Sequence, residues 1–127
     1  MSDKIRILVV DDDANPHDTA KKFLNPDYDT DHAEGAYAYD NALIKIFDES
    51  KKYNLIITDY HLGSAGDAFQ LIQELRDGGI EWPIIVWSAD SSNETIMNAQ
   101  DNVKFISKPP EKSTLLNLIN KMLNPSE

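Results

Sequence analysis

Cysteine is absent from the 127 residues. That excludes a disulfide, a thiolate metal site and a cysteine nucleophile. Long apolar runs are missing as well: nothing approaches the about 18 consecutive apolar residues of a membrane span. Met1-Ser2-Asp3-Lys4 leads straight into a strand-like run, without the basic-then-apolar layout of a signal peptide. These absences set the expectation of a cytoplasmic protein with no membrane association. Basic residues are scarce, 12 against 22 acidic ones, for a formal net charge of −10. Such a surface repels phosphate backbones, so direct nucleic-acid binding is not expected. Internal repeats, low-complexity tracts and linkers are also lacking. The length suits one domain with its own core, expected to span residues 1–127 with its folded part near 5–123.

What is present is a regular alternation of short apolar runs with amphipathic stretches. Ile5 to Val10, interrupted only by Arg6, reads as a buried strand. Asn15-Pro16 reads as a helix start, with Asn15 as the cap, and Ala20, Phe23 and Leu24 give that helix an apolar side. Tyr28 to Ala33 is a more polar strand, suited to a sheet edge, and Glu34-Gly35 turns the chain. Tyr39, Ala42, Leu43 and Ile46 recur at helical spacing. Leu55 to Thr58 is a third strand, ending at Asp59. Ala68, Leu71, Ile72 and Leu75 mark a helix that Gly78-Gly79 ends. Ile84 to Trp87 and Val103 to Ile106 are the last strands, separated by a poorly patterned helix over Ser91 to Asn98. Leu115, Leu118, Ile119 and Met122 form the final helix, with Pro125 closing the domain. Five strands alternating with five helices predict a doubly wound α/β fold of the flavodoxin-like (βα)5 kind, strand order 2-1-3-4-5.

That topology places ligands beyond the carboxyl ends of the strands, where the first and third diverge. The groups arriving there are Asp11-Asp12-Asp13, Asp59, Ser88 and Lys108. Clustered carboxylates are costly unless a cation joins them. Oxygen ligands without histidine or cysteine select Mg²⁺, with Mn²⁺ as the alternative ion. The lysine offers charge, and the serine a hydrogen bond, to a transferred phosphoryl group. A carboxylate nucleophile would form an acyl phosphate.

Four motifs in order, each at a strand end, carry a family likeness: Val9-Val10-Asp11-Asp12, Ile56-Ile57-Thr58-Asp59-Tyr60, Val86-Trp87-Ser88-Ala89 and Phe105-Ile106-Ser107-Lys108-Pro109. From Ile5 to about Leu123 the chain resembles the receiver domains of two-component response regulators. The resemblance implies that Asp59 is the phospho-acceptor. It implies that Asp11, Asp12, Asp59 and the backbone carbonyl of His61 hold Mg²⁺. Lys108 and Ser88 would contact the phosphoryl group, Ser88 and Phe105 would act as the switch pair, and Lys108-Pro109 would be cis. The donor would be a sensor histidine kinase or a phosphotransfer protein, and the fourth helix, fifth strand and fifth helix would meet a downstream protein. His61, Asp90 and Asp13 are candidates for tuning the site. The domain would catalyse only its own phosphotransfer and dephosphorylation, with no output domain in the chain.

Departures from the common pattern concern two segments. The loop Tyr60 to Asp67 carries glycines where many receivers have proline, and is one residue longer. The stretch from Ser88 to Lys108 is about two residues short by comparison with the family, so the fourth helix is expected to be short or irregular. Each candidate also has an ordinary reading. Asp59 or Ser88 could cap a helix, Lys108 could be surface, Phe105 and Trp87 could be packing, and His17, His32 and His61 are most simply surface residues. The coincidence of four motifs favours function for Asp59, Asp11, Asp12 and Lys108. Two rival functions are a pseudo-receiver that binds partners without phosphorylation and a haloacid-dehalogenase-type phosphatase. The latter lacks its later acidic motif, since only Glu111 and Glu127 follow Lys108. Binding of a flavin phosphate fails because an acid row stands where a glycine- and hydroxyl-rich loop belongs.

Overall fold

The alternation of apolar side chains along each strand decides which layer of the fold it supports. A computed structural model describes residues 5–48, 52–63, 66–108 and 110–124. Its strands are β1 (Arg6–Asp11), β2 (Asp29–Glu34), β3 (Leu55–Asp59), β4 (Ile84–Ser88) and β5 (Val103–Ser107). They form one parallel sheet in the order β2-β1-β3-β4-β5. Ile7, Val9, Leu55, Ile57, Ile85 and Trp87 face one side. Leu8, Val10, Ile56, Ile84 and Val86 face the other. A strand buried on both faces needs apolar residues at consecutive positions, which is why β1, β3 and β4 read as unbroken runs.

Helices α1 (Ala14–Leu24) and α5 (Lys112–Leu123) cover the first face with Ala20, Leu24, Leu115 and Ile119. The second face is covered by α2 (Ala38–Ile46), α3 (Ala68–Asp77) and α4 (Glu94–Asn98). Burying each large aliphatic side chain stabilises the fold by roughly 1.5–3 kcal/mol. Helix α4 has five residues after a 3-10 turn at Ser91–Asn93, and Met97 is its one buried side chain. So small an apolar face cannot support a longer helix. Instead Asn98 Oδ1 accepts the backbone N–H of Phe105 on the edge strand, which ties α4 to β5.

Strands β1, β2, β4 and β5 continue one residue beyond their last apolar position, and β3 continues two, through the buried Thr58 to Asp59. Asp11 pairs in register with Glu34, Asp59 with Trp87, and Ser88 with Ser107. The main-chain ladder is indifferent to side-chain polarity, so the polar end residues are held as rigidly as the core. At the opposite end of the sheet the Arg76 guanidinium donates to the carbonyls of Ile80, Trp82 and Asp101. That fork gathers the entrances to β4 and β5.

Helix α1 starts earlier than Asn15-Pro16 indicates. Its N-cap is Asp13, whose Oδ1 accepts from the Asn15 N–H at 3.3 Å. Pro16 falls in the first turn, where its missing N–H has no intrahelical partner to lose. A carboxylate also complements the positive end of the helix better than an amide does. Three sequence expectations lie outside the described residues: the cis form of Lys108-Pro109, the course of the loop through Ser64 and Ala65, and the close of the domain at Pro125.

The cap assignment separates two neighbouring substitutions. Asp13→Ala should lower unfolding free energy by about 1 kcal/mol, Asp13→Ser should retain most of it, and Asn15→Ala should have little effect. Urea denaturation of the three variants checks this; an Asn15→Ala loss equal to that of Asp13→Ala would restore the sequence-based cap.

Candidate functional site

Strands β1 and β3 lie side by side, and their carboxyl ends release Asp11-Asp12 and Asp59 into one crevice. Each of these three residues offers a carboxylate oxygen, and the three oxygens lie within 4.8 Å of one another. Asp11 is fully buried, Asp59 half-buried and Asp12 exposed. Lys108 enters from the end of β5. Its backbone N–H donates to the Ser88 carbonyl at 3.0 Å, which locks its position beside β4. Its ammonium sits 2.7 Å from Asp11 Oδ2 and 3.6 Å from Asp59 Oδ1. It also lies 5.7 Å from the centroid of the Trp87 ring. The Trp87 Nε1 is buried and has no hydrogen-bond partner among the described residues.

Three carboxylates face one ammonium, and the electrostatics follow from that imbalance. Burial pushes the Asp59 carboxyl up to about 6, and the Asp11 charge adds to the shift. Lys108 and the Tyr60 N–H, which donates to Asp59 Oδ1 at 2.8 Å, pull it partly back. Asp11 is also raised, by burial, against the opposing hydrogen bond from Lys108. The donors are all oxygen, the geometry is convergent, and the site carries surplus negative charge. That combination suits a hard divalent cation. The flanking lysine and serine add an ammonium and a hydroxyl for an anion such as a phosphoryl group.

Ser88 is almost fully buried, one step beyond Trp87, the register partner of Asp59. Its Oγ accepts from the Asp90 N–H at 3.2 Å. Phe105 stands apart from the acid cluster, half-buried on the α2–α3–α4 side of the sheet. His61 and Asp90 are exposed, with His61 Nε2 3.9 Å from Asp90 Oδ2. Asp13 is outside the cluster. Its carboxylate caps α1, while its N–H donates to Asp11 Oδ1.

The reading of His17 as a surface residue is corrected by the structure. His17 is 1% exposed, and its Nε2 lies 2.9 Å from the Asp11 carbonyl. Its Nδ1 faces His32 Nδ1 at 2.7 Å, and His32 Nε2 meets Thr30 Oγ1 at 3.1 Å. His32 is half-buried, and burial together with the neighbouring ring lowers it to about 4. The sequence holds a signal for this: 17, 20 and 24 follow the three-then-four spacing of one helix stripe, so His17 shares the buried side of Ala20 and Leu24. Beside the crevice, Pro16, Thr19, Trp87, Lys108 and Pro110 line an apolar cleft of about 230 Å³.

Comparison with known proteins gives a consistent result. The family model described as the response regulator receiver domain matches residues 7–120. A two-component response regulator from Clostridium difficile superposes with a TM-score of 0.80 at 26% identity, covering 98% of this chain and 99% of that one. A response regulator protein from Thermotoga maritima, in complex with Mg(2+)-BeF, gives 0.78 at 27% identity over 93% and 98% of the two chains. A response regulator receiver protein from Sinorhizobium medicae shares the fold, with a TM-score of 0.79 at 18% identity over 98% of each chain. No curated protein matches the sequence.

The raised Asp59 carboxyl carries a stability consequence. The folded protein holds that proton more tightly than the unfolded chain does. The associated stability is therefore complete below about pH 4 and lost as pH rises through about 6. Asp59→Asn removes the cost of ionisation. At pH 7.5, without divalent ions, it should raise unfolding free energy by roughly 1–3 kcal/mol. The gain should shrink towards pH 4. Urea titrations of both proteins at the two pH values measure it, and a gain independent of pH would contradict the assignment.

Proposed function

The chain belongs to the response regulator receiver domain family, and from that premise we propose that it is a phosphoryl-accepting switch whose acceptor is Asp59. The observation that carries this reading is the crevice itself: Asp11, Asp12 and Asp59 converge there with Lys108 as the neighbouring ammonium. The donor is the phosphohistidine of a sensor histidine kinase or a phosphotransfer protein, and the setting is the cytoplasm.

An ionised Asp59 is the nucleophile, and a carboxyl near 6 is ionised at neutral pH. One of its oxygens forms a bond to phosphorus as the bond from phosphorus to the donor imidazole nitrogen breaks. The electron pair of that bond leaves with the imidazole. Lys108, 3.6 Å from Asp59, neutralises an oxygen of the arriving group. Mg²⁺, or Mn²⁺ in its place, would be held by Asp11, Asp12, Asp59 and the His61 carbonyl, and when bound supplies charge that offsets the acids and the phosphoryl oxygens. The Thermotoga relative's complex with Mg(2+)-BeF supports that choice of ion.

The Ser88 oxygen accepts from the Asp90 N–H, and a hydroxyl that accepts in this way can still donate its own proton. Turning towards the phosphoryl group gives it a new acceptor and vacates space for Phe105 to change rotamer. That shift alters the face formed by α4, β5 and α5, where Ile96 is exposed, and a protein partner reads the change. His61 and Asp90 flank the entrance and tune how long the acyl phosphate survives. The reaction is the domain's own modification and its reversal, not turnover of an external substrate.

Incubation with acetyl phosphate and Mg²⁺, followed by intact mass measurement, tests the reading directly. The wild type should gain one phosphoryl group, and Asp59→Asn or removal of the ion should abolish the gain. Lys108→Ala should slow it by about 10²-fold or more. A wild type that gains no mass, and whose fluorescence does not respond to beryllofluoride, would turn the assignment towards phosphorylation-independent binding.

A further inference from the structure

Asp11 is held at three acceptor atoms. Its Oδ1 accepts from the Asp13 N–H, its Oδ2 from Lys108, and its main-chain carbonyl from His17. The last bond is unlike the others, because it reaches the backbone from a buried ring in α1. It acts on the peptide plane between Asp11 and Asp12. Strand β1 ends at Asp11, so beyond that point no ladder bond orients the chain. Rotation of this one plane swings the direction in which the exposed Asp12 leaves the sheet.

The proton placement along the histidine pair is constrained. A carbonyl oxygen only accepts, so His17 Nε2 carries hydrogen. The two Nδ1 atoms are 2.7 Å apart, so one donates to the other. With both rings neutral a single direction satisfies every group. The Thr30 hydroxyl donates to His32 Nε2, His32 Nδ1–H donates to His17 Nδ1, and His17 Nε2–H donates to Asp11. The chain runs from the edge strand β2, through α1, to the mouth of the crevice.

We propose that His17 is a positioning residue for the acid row, fixing the Asp11-Asp12 peptide so that the two carboxylates meet a cation, with His32 and Thr30 fixing the ring that does this. The inference rests on the reading of Asp11 and Asp12 as the cation-holding pair. A merely structural His17 would satisfy a buried carbonyl and support α1, and its loss would lower stability without changing ion affinity. A positioning His17 contributes to affinity as well, in the way that partners of metal ligands do.

Two measurements on the full chain decide between these roles. Ring nitrogen NMR at neutral pH, without any ion, should find His17 as the Nε2–H tautomer and His32 as the Nδ1–H tautomer. Calorimetric titration with Mg²⁺ should then separate three variants. His17→Leu, which removes the donor, should weaken binding by about tenfold or more. His17→Gln, which keeps an N–H donor at similar reach, should stay within about threefold of wild type. His32→Phe, which leaves His17 in place but unlocks its ring, should weaken binding in the same direction by about threefold, and it serves if His17→Leu does not fold. Equal affinity in wild type and His17→Leu, equal losses in the Gln and Leu variants, or an Nδ1–H tautomer at His17 would each overturn the proposal. A wild type that binds no Mg²⁺ would instead remove the reading of the site on which the proposal stands, and the two failures are told apart by the wild-type titration alone.

Discussion

Lys108 closes the crevice by joining two strand ends that lie 97 residues apart in sequence. Its ammonium pairs with Asp11, a carboxylate with no exposure of its own. Removing one member of such a pair leaves a buried charge uncompensated, at a cost of about 3–5 kcal/mol. The pair therefore constrains the whole upper end of the sheet. It holds the loop after β5 against the end of β1, across β3 and β4. It also leaves Asp59 and Asp12 as the carboxylates with charge still to be matched. The reactivity proposed for the site follows from that remainder.

The sheet delivers these groups because its polar end residues belong to the hydrogen-bonded ladder. Asp11, Asp59 and Ser88 occupy the last paired positions of β1, β3 and β4. Immediately below them lie residues packed on both faces of the sheet, Val9, Val10, Ile57, Val86 and Trp87 among them. A close-packed support transmits little slack, so the carboxylates keep their separation without direct bonds between them. The same support explains why Asp59 stays raised: it cannot relax into solvent to escape its burial, or the added repulsion of Asp11.

The acid row shows how adjacent residues of one type divide their work. Asp11 is buried and fixed at three atoms, Asp12 is exposed beside it, and Asp13 turns away to begin α1. The turn from strand to helix separates them. Within two residues the backbone passes from ladder geometry to helical geometry, and successive side chains point to the sheet end, the solvent and the helix terminus. His17 lies one turn further on, close enough to reach back to the strand it follows.

Strand and helix order was legible in the sequence, because hydrophobic period and turn chemistry are local properties. So were Asp11, Asp12, Asp59, Ser88 and Lys108, since polar residues that end apolar runs are conspicuous and the topology sends those ends to one side. The short α4 was foreshadowed by weak patterning between Ser91 and Asn98. The cap of α1 was misplaced by two residues, because Asp13 and Asn15 are both good caps and only the path of the chain out of β1 selects one. His17 was read as surface although its spacing matches Ala20 and Leu24, because a histidine on an apolar stripe reveals its partner only in three dimensions. By itself, then, the sequence determined the fold class, the strand ends and the charges gathered there. Tertiary structure alone decided that Lys108 pairs with Asp11, that Asp13 serves the helix, and that His17 and His32 meet beneath the acid row. Those outcomes depend on distances between segments remote in the chain, which no local pattern encodes.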